Sequence, residues 1–531
     1  MPKILVSDKL SDQGMAILKA ATHLTVDVKT GMTPDELCVA IKSYDGLVIR
    51  SATRVTKDIV EAADSLKVVA RAGIGIDNVD LEAATKKGIV VMNTPSGNAV
   101  TTAEHAIAMM FAISRQIPQA TLSIRNGKWE KGKFMGRELC NKFLGIVGVG
   151  NIGKIVADRA IGLKMKVLGF DPFLSKEAAE KIGVELVDLP ELFKRADYIT
   201  VHTPLNEKTK NLINKTTFQK MKRGVYIINC ARGGIVNEQD LVWAIQEGIV
   251  AGVALDVFEQ EPPSLDNPLL KLDQVIYTPH LGAATTEAQE NVAVEVAELM
   301  VDYFTTGTIR NAVNFPSMTG EMLKVLQPYI SLGEKLGSLQ GQLANKLPSE
   351  VAIEYRGDVT KYNLAPVTQS LLKGLLSSMA SDLTVNYVNA AMIAKEKGLK
   401  IVESKVSAHD DFTSLITVTL KNGNGESERS ISGTIFGRTN PRIVQIGDFY
   451  LEAIPEGTIL VIHNQDRPGV IGSIGTCLGK NKINISRMQL GLEKGKAEAI
   501  ALYNVEGNVT HEIMAEVGRL PNVISVKKVV L

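Results

Sequence analysis

The chain has 531 residues, of which 45% are hydrophobic and 22% charged, and its formal net charge is +1. A chain of this length is too long for one hydrophobic core, so about three or four domains are expected. The balance of interspersed acids and bases argues against nucleic acid or an anionic membrane as the main partner. No apolar run is long enough to span a membrane, and the widely spaced cysteines lack metal-ligand spacing and indicate a reducing, cytoplasmic setting.

Short β-rich runs alternate with helical stretches from the start of the chain, which is the pattern of a parallel sheet with crossover helices. The first runs are "KILVSD", "GLVIRS", "KVVARAG" and "IVVMNTP". The segment "TTAEHAIAMMFAISRQI" then predicts one long helix, with Thr101 and Glu104 at capping-box spacing at its start. A second alternating series extends from "FLGIVGVG" to "VIYTPHLG", and the helix "EAQENVAVEVAELMVDYFTTG" leads out of it. We therefore predict two α/β domains in tandem, with the chain later returning to the first.

The remainder of the chain has a different character. The part after "NAVNFPSM" mixes helix and strand and predicts an α+β domain. The last part shows the order strand, helix, strand, strand, helix, strand, which is the split βαβ pattern of a ferredoxin-like fold. The predicted domains are residues 1–98 with 287–316, residues 99–286, residues 317–455 and residues 456–531.

The run "LGIVGVGNIG" contains Gly148, Gly150 and Gly153 in G-x-G-x-x-G spacing, after an apolar strand and before a helix. Such glycines permit a tight turn and let the backbone approach a pyrophosphate at the helix N-terminus. Asp171 ends the next strand, where it can accept hydrogen bonds from ribose hydroxyls and repel a 2′-phosphate. NAD is therefore favoured over NADP. The alternative, a glycine-rich helix start followed by a chance acid, does not account for the complete order of elements.

Polar residues follow the strands of the second series, at the ends where open α/β sheets bind their ligands. An Arg fork can hold a carboxylate by two contacts, a His can take a hydroxyl proton, and an acid can orient that His. Arg232, His280 and Glu261 are one of each. Singly, each has an ordinary reading as a turn residue or a solvated charge, but together after a dinucleotide loop they favour catalysis. The residues at these strand ends are His202, Thr203, Cys230, Ala231, Arg232, Asp256, Glu261 and His280.

Several runs at these positions resemble signatures of the D-isomer-specific 2-hydroxyacid dehydrogenases, namely "VGVGNIG", "NCARGGIVNEQDL", "ALDVFEQEPP" and "PHLGAAT". With "RAGIGIDNVD", "VMNTPSGN" and the last segment, the whole chain resembles the long form of this family. The resemblance implies two Rossmann-like/flavodoxin-like parallel-sheet domains, then an α+β intervening domain and a ferredoxin-like ACT domain. It also implies NAD-dependent oxidation of D-3-phosphoglycerate to 3-phosphohydroxypyruvate, the first step of L-serine synthesis.

The resemblance further implies which residues form the site. The family's catalytic positions match Arg232, Glu261 and His280. The predicted contacts to NAD, from the pyrophosphate to the nicotinamide side, are Gly148, Gly150, Asn151, Ile152, Gly153, Asp171, Thr203, Cys230, Ala231, Arg232, Asp256, His280, Gly282 and Ala283. No metal site is predicted.

A group that reads the substrate's phosphate has to be sought separately, because the family acts on many 2-hydroxy acids. Arg50 and Arg71 end strands of the first series and face the expected cleft. With Asn98 and Arg232 they form the predicted substrate contacts. The loop "RNGKWEKGKFMGR" adds further cations that, by the resemblance, can approach the neighbouring subunit's cleft in a dimer. The alternative is that these cations are only solvated.

The segment "HNQDRPGVIGSIG" predicts a strand, a turn and a helix, and its glycine spacing is not that of a dinucleotide loop. Open backbone N–H groups at such a turn can hold a small carboxylate. It resembles ACT domains, which bind amino acids between two copies. By that resemblance Asp466 holds the ammonium group of an L-serine effector, and Asn464 and Asn484 add polar contacts. An ACT domain that only joins subunits is the alternative, and ACT pairing predicts a homodimer or homotetramer.

Two other functions are open at this point. Reduction of glyoxylate or hydroxypyruvate uses the same chemistry, although such relatives usually lack the C-terminal part of this chain. A nucleotide-sensing corepressor on the same fold would need no catalysis, and the complete Arg–Glu–His set argues against it.

Overall fold

The computed structural model describes residues 1–316, 320–344, 346–379, 384–408, 411–421, 429–492 and 497–531. None of the helices in these ranges is long and apolar enough to cross a membrane. The predicted domain boundary at residue 317 lies outside the described residues.

The first sheet is parallel, and its strands are mostly buried, as expected for strands covered by helices on both faces. The strands are β1 (Lys3–Val6), β2 (Thr25–Val28), β3 (Gly46–Ile49), β4 (Val68–Arg71) and β5 (Val90–Asn93). The helices between them are α1 (Asp12–Ala20), α2 (Pro34–Ala40), α3 (Lys57–Ala62) and α4 (Leu81–Lys87), with a 3-10 helix at Ile41–Ser43. The strand order β2-β1-β3-β4-β5 is the flavodoxin-like order.

The second sheet is also parallel and follows two consecutive helices, α5 (Ala99–Ser114) and α6 (Ile117–Arg125). Its elements are β6 (Phe143–Val147), α7 (Asn151–Gly162), β7 (Lys166–Phe170), α8 (Lys176–Lys181), β8 (Glu185–Leu186), α9 (Leu189–Arg195), β9 (Tyr198–Val201), α10 (Lys215–Phe218), β10 (Val225–Asn229), α11 (Glu238–Gln246), β11 (Val250–Leu255), a 3-10 helix at Pro268–Lys271 and β12 (Val275–Tyr277). The order β12-β11-β10-β9-β6-β7-β8 reverses at β6, which creates the crevice where dinucleotides bind in such sheets.

The helix that connects these two sheets differs from the sequence-based prediction in two ways. It begins at Ala99 with Asn98 as its N-cap, so the predicted capping box of Thr101 and Glu104 is wrong. It also ends at Ser114, because Gln116 adopts a left-handed conformation with φ 51° and starts a second helix. The segment that was predicted as one long helix therefore forms two helices, α5 and α6.

The chain returns to the first sheet through α12 (Thr286–Thr306). This helix packs closely on α1, since a Cβ added to Gly14 would lie 2.5 Å from the carbonyl oxygen of Ala293. The following segment bridges Ala312 to Met92, and Val313 N–H donates to the carbonyl oxygen of Val91 at 2.8 Å. The predicted return to the first sheet is thus seen directly.

The remaining chain builds one continuous sheet of ten strands, in the order β14-β13-β15-β16-β17-β18-β20-β21-β19-β22. Tyr450 pairs with Leu492 where the two halves meet, a join that the sequence did not predict. The first half contains α13 (Gly320–Leu343), β13 (Glu350–Gly357), a 3-10 helix at Asp358–Lys361, α14 (Ala365–Met379), α15 (Ala390–Glu396), β14 (Lys400–Val406), β15 (Ser414–Lys421), β16 (Arg429–Phe436), β17 (Asn440–Ile446) and β18 (Phe449–Ala453). The second half contains β19 (Thr458–Gln465), α16 (Val470–Lys480), β20 (Asn484–Leu492), β21 (Glu498–Glu506), α17 (His511–Gly518) and β22 (Val523–Val530).

The order of elements in the second half confirms the predicted ferredoxin-like pattern. The two parallel sheets and the mixed sheet after them confirm the predicted fold class. Glycines allow α13 and α14 to approach each other closely, since a Cβ added to Gly337 would lie 2.0 Å from the carbonyl oxygen of Leu371.

Candidate active site

The carboxyl ends of β6, β9, β10, β11 and β12 lie at one edge of the second sheet, because these strands are parallel. The first sheet turns its own carboxyl edge toward them. An ion pair of 2.8 Å joins Arg232 Nε, after β10, to Asp77 Oδ2, after β4. The two edges therefore enclose one cleft, as expected for ligand sites in open α/β sheets.

The glycine loop between β6 and α7 has the shape that a bound dinucleotide requires. Gly148 has a φ of 93°, and a Cβ there would lie 2.7 Å from the carbonyl oxygen of His202. A Cβ at Gly153 would lie 2.1 Å from the carbonyl oxygen of Gly148, so the helix packs tightly on the loop. At Gly150, by contrast, no atom of the described residues beyond its chain neighbours lies within 4 Å of an added Cβ. This open position stands at the N-terminus of α7, where a pyrophosphate binds.

Asp171 lies beside this loop, as predicted. Its Oδ2 accepts from the backbone N–H of Val149 at 2.9 Å, and its Oδ1 accepts from Phe173 N–H at 2.8 Å. Each carboxylate oxygen keeps a lone pair for a ribose hydroxyl. Asn151 and Ile152 form the first turn of α7. These residues fit NAD.

The floor of the cleft is buried and neutral. The Thr203 hydroxyl is buried and finds no hydrogen-bond partner among the described residues, so it is available to a ligand. Burial lowers the pKa of His202 to about 4, and the ring nitrogen Nε2 lies 3.0 Å from the hydroxyl of Thr200. Burial, and then the charge of Asp256, raise the pKa of the Cys230 thiol, so it is not a nucleophile at neutral pH.

His280 and Glu261, which the sequence predicts as an acid–base pair, lie in contact. His280 Nδ1 lies 2.7 Å from Glu261 Oε2, and the side chains are 50% and 39% exposed. The second oxygen of Glu261 accepts from Phe258 N–H at 3.2 Å, which fixes the carboxylate. Because this pair uses Nδ1, the imidazole keeps Nε2 for a proton of a bound ligand.

Asp256 is 1% exposed, and its carboxylate holds the turn that carries His280. It accepts from the N–H groups of Leu281 and Gly282 at 2.6 and 2.7 Å and from the Thr278 hydroxyl at 2.6 Å. The backbone carbonyl of Asp256 also accepts from His280 N–H at 3.0 Å. His280 needs this support because its φ of 55° is unusual for a residue other than glycine.

Hydrogen bonds also set the charge of Asp256. Burial alone would raise the pKa of this carboxyl, but hydrogen bonds from His105, Thr278 and Leu281 outweigh it and hold the pKa below its ordinary value. His105 Nε2 lies 3.3 Å from Asp256 Oδ1 and 3.2 Å from the Thr278 hydroxyl. Asp256 was predicted as a cofactor contact, and the structure assigns it this additional structural task.

Two arginines from different domains meet in the cleft. Burial and then the charge of Arg232 lower the pKa of Arg71 to about 10. Arg71 Nη1 donates to the carbonyl oxygen of Gly75. Its buried Nε has no hydrogen-bond partner within the part of the chain that the structure describes. Arg71 is therefore a half-satisfied cation, which favours an anionic ligand.

Of the other predicted substrate contacts, Arg50 lies near enough to Arg71 for its charge to act on that guanidinium. The N–H of Arg50 donates to Asp8 Oδ2 at 2.5 Å, and its Nη1 donates to the carbonyl oxygen of Lys9 at 3.3 Å. Asn98 caps α5, and its buried Oδ1 likewise lacks a partner among the described residues. Ala231 N–H donates to Asn229 Oδ1 at 3.1 Å, which shapes the turn that carries Arg232.

The predicted effector residues lie apart from this cleft, in the last half-sheet. Asp466 is exposed at the end of β19. Asn484 is exposed and donates to Glu506 Oε2 at 3.1 Å. Asn464 is only 4% exposed and donates to the carbonyl oxygen of Gln465 at 2.8 Å, so its amide nitrogen serves the strand itself.

Sequence reasoning missed Asp77 and His105. Asp77 lies in "RAGIGIDNVD", directly after β4, but only the strand ends of the second series were searched for acids. His105 lies in the middle of α5, where a helical pattern gives no sign that it reaches Asp256. Ala283 is half-buried in the turn after His280, where it was expected.

The fold and the site together define a class, the NAD-dependent dehydrogenases of 2-hydroxy acids. Residues 107–282 match the D-isomer specific 2-hydroxyacid dehydrogenase NAD binding domain. Among solved structures, D-lactate dehydrogenase from Aquifex aeolicus, complexed with NAD and lactic acid, is 26% identical with a TM-score of 0.52. That similarity covers 59% of this chain and 100% of the lactate dehydrogenase chain.

The rest of the chain narrows the class. Residues 325–447 match the D-3-phosphoglycerate dehydrogenase intervening domain. D-3-phosphoglycerate dehydrogenase of Archaeoglobus fulgidus is 43% identical over 524 residues, covering 98% of each chain. The enzyme of the same name from Bacillus subtilis is 41% identical over 527 residues, covering 99% of each chain. The chain therefore belongs to the D-3-phosphoglycerate dehydrogenase family, which confirms the predicted resemblance, the enzyme class and NAD as cofactor.

The contacts of Asp256 predict a measurable effect on catalysis. Asp256→Asn places an amide N–H against the N–H of Leu281 or Gly282, so the turn that carries His280 cannot keep its shape. We expect kcat for D-3-phosphoglycerate with NAD to fall about tenfold to a hundredfold, because hydrogen bonds to charged groups contribute about 1.5–3 kcal/mol each. Thr278→Val, which removes one hydroxyl donor, should have a smaller effect.

Steady-state rates of NADH formation measure this effect. If Asp256→Asn raised only the KM for NAD and left kcat unchanged, Asp256 would be a cofactor contact and not a support of the catalytic turn.

Proposed function

We propose that this chain oxidises D-3-phosphoglycerate to 3-phosphohydroxypyruvate with NAD, the entry step of L-serine synthesis, and that L-serine regulates it through its last domain. The observation that supports this choice of substrate is the pair Arg71 and Arg232, which lie close together at facing edges of two sheets. A substrate with a carboxylate and a phosphate presents one anion to each. The relatives that cover the whole chain bear a name that states this substrate.

In the proposed complex, Arg232 holds the substrate's carboxylate, because a guanidinium fork matches the two carboxylate oxygens. Arg71 and Arg50 hold the phosphate, and the unpartnered Asn98 Oδ1 accepts from a substrate hydroxyl. A cleft for glyoxylate would leave Arg71 half-satisfied and buried, which is costly. Charge therefore favours the phosphorylated substrate over the smaller acids.

In the proposed reaction, His280 removes the proton of the C2 hydroxyl through Nε2, while Glu261 holds Nδ1 and stabilises the imidazolium that forms. Bound NAD supplies the hydride acceptor. The open position at Gly150, Asp171 and the Thr203 hydroxyl hold that cofactor against the floor of the cleft. Closure of the two domains on the substrate excludes water from the reaction.

The last half-sheet, residues 456–531, supports the regulatory part of the proposal through its ferredoxin-like topology. Asp466 is exposed at the turn before α16 and can accept from an ammonium group. The N-terminus of α16 follows at Gly469, which has a φ of 91° and open space around it, so its N–H groups can bind a carboxylate. A free amino acid combines both charges. The proposed domain limits are those expected from the sequence, and the four free thiols support a cytoplasmic location.

Removal of the Arg71 side chain tests whether the cleft binds a phosphorylated substrate. We expect Arg71→Ala to raise the KM for D-3-phosphoglycerate at least about tenfold, since it removes a buried charge contact, with little change in the Kd for NAD. Lys67→Ala is the matched control, because it removes the same charge at the amino end of the same strand. Equal losses for substrate and NAD, in protein with an unchanged melting temperature, would refute a phosphate-reading role.

L-serine tests the regulatory domain. We expect L-serine, but not D-serine, to lower the rate of NADH formation, and Asp466→Ala to remove this inhibition while keeping the basal rate. Glu512→Ala, which removes an exposed acid from the first turn of α17, should stay inhibited. If L-serine did not change the wild-type rate, the proposed dehydrogenase activity would stand. The regulatory role of the last domain would be refuted, and that domain would serve only to join subunits.

An exposed apolar surface on α6 and the loop after it supports the predicted association into a homodimer or homotetramer, which we propose for this chain. Four large apolar side chains here are exposed, namely Leu122 (59%), Ile124 (60%), Trp129 (83%) and Met135 (81%). Single exposed apolar residues are ordinary on a protein surface, but several in one short segment indicate a contact with another molecule. We expect Trp129→Glu to shift the protein toward a smaller species in sedimentation equilibrium. Leu265→Glu, at an apolar side chain that is 89% exposed elsewhere, should not. A wild-type protein that sediments as a monomer would contradict the dimer.

A further inference from the structure

Asp77 is the only described residue of the first domain that forms an ion pair with the catalytic Arg232. Its Oδ2 accepts from Arg232 Nε at 2.8 Å, across the cleft between the two domains. Asp77 is 58% exposed and Arg232 28% exposed at the side chain, so the pair stands at the edge of the cleft and not in a core.

The remaining contacts of Arg232 show which of its edges stays free. Nη1 donates to the carbonyl oxygen of Ala231 at 2.7 Å, and Nε is used by Asp77. A guanidinium has five N–H donors in a fixed plane. With one donor of Nη1 and both of Nη2 left, the end of the fork remains available for a carboxylate. The contact with Asp77 therefore sets the direction of the fork without blocking it.

The loop that carries Asp77 is shaped around Arg232. A Cβ added to Gly75 would lie 1.7 Å from Arg232 Nη2, so only a glycine leaves room for the guanidinium there. The carbonyl oxygen of the same Gly75 accepts from Arg71 Nη1. One short loop thus contacts the arginine of each domain, Arg71 through its backbone and Arg232 through the carboxylate of Asp77.

The charge of Asp77 has a second effect in this cluster. Arg232 and Arg50 lower the pKa of Arg71, whereas Asp77 raises it, so Asp77 offsets the repulsion among the cations. An acid at this place keeps like charges together before a substrate arrives.

We propose that Asp77 is a positioning residue for the reaction: it aims the free end of the Arg232 fork at the substrate's carboxylate and holds that fork beside Arg71. The inference rests on the proposed function, because it needs a substrate that carries a carboxylate next to the reacting carbon. Asp77 does not touch the reacting atoms itself.

The test compares Asp77→Ala with Asp77→Asn in the full chain. Asn keeps an oxygen that accepts from Arg232 Nε but carries no charge, whereas Ala removes both. We expect Asp77→Ala to lower kcat/KM for D-3-phosphoglycerate at least about tenfold, and Asp77→Asn to stay within about threefold of wild type. The Kd for NADH, from its fluorescence, should change less than about twofold in both.

Glu82→Ala is the matched control, because it removes an exposed acid from the first turn of α4, for which the described residues show no ion pair. It should behave as wild type. Wild-type rates for Asp77→Ala would overturn the inference, as would an increase in affinity for D-3-phosphoglycerate, which would make Asp77 a competitor for Arg232. Equal losses in both variants would also overturn it, since the charge of Asp77, and not its hydrogen bond to Arg232 Nε, would then account for the loss. Failure of wild type to turn over D-3-phosphoglycerate would instead refute the proposed function.

Discussion

Two arginines share one cleft, and the burial of Arg71 together with the repulsion from Arg232 is the constraint around which this site is arranged. Arg71 ends a strand of the first sheet and Arg232 follows a strand of the second, yet they lie close enough for one charge to lower the pKa of the other. Keeping like charges together costs free energy, which the fold offsets with carbonyl oxygens and one acid. A ligand with two anionic groups relieves more of this repulsion than a ligand with one. In the proposed complex, the same arrangement therefore both binds the substrate and discriminates between substrates.

Two carboxylates beside His280 have different tasks, and their environments explain the difference. Asp256 is buried and surrounded by donors, so it stays ionised and serves as a fixed support for the turn. Glu261 is partly exposed and contacts the imidazole directly, so in the proposed reaction it holds the ring that takes the proton. Burial with several hydrogen bonds suits an acid to a structural task, whereas exposure beside the imidazole leaves Glu261 in reach of a bound ligand.

The sequence predicted those parts of the site that follow from local pattern. The loop at Gly148, the acid Asp171 and the strand-end residues Arg232 and His280 each occupy a fixed place in a strand–turn–helix order, and parallel strands bring such ends together. The cross-domain contact of Asp77 could not be predicted in this way, because it depends on how the two sheets face each other. The same holds for the contact between His105 and Asp256, which joins a helix interior to a distant turn.

The last half-sheet shows the same limit in its backbone. Its βαββαβ order could be predicted from the alternating sequence patterns. The pairing of Tyr450 with Leu492, which joins two sheets, could not be predicted, because the sequence of an edge strand does not show which strand will pair with it. At the opposite edge, the amide of Gln342 both donates to the carbonyl oxygen of Val530 and accepts from its N–H, as a neighbouring strand would.

These contacts belong to a broad attachment of the last half-sheet to α13. Ile459, Val461 and Val529 are buried in the same hydrophobic cluster as residues of that helix. Lys335 donates to the carbonyl oxygen of Pro455 at 2.7 Å, and Lys527 donates to the carbonyl oxygen of Leu343 at 2.6 Å. The middle domain is in turn joined to α4 by Asn386, which donates to the carbonyl oxygen of Gly88 at 2.8 Å, and by an ion pair of 3.2 Å between Lys86 and Glu396. Because α4 directly follows the loop of Asp77, these contacts place the middle domain between the proposed effector site and the cleft.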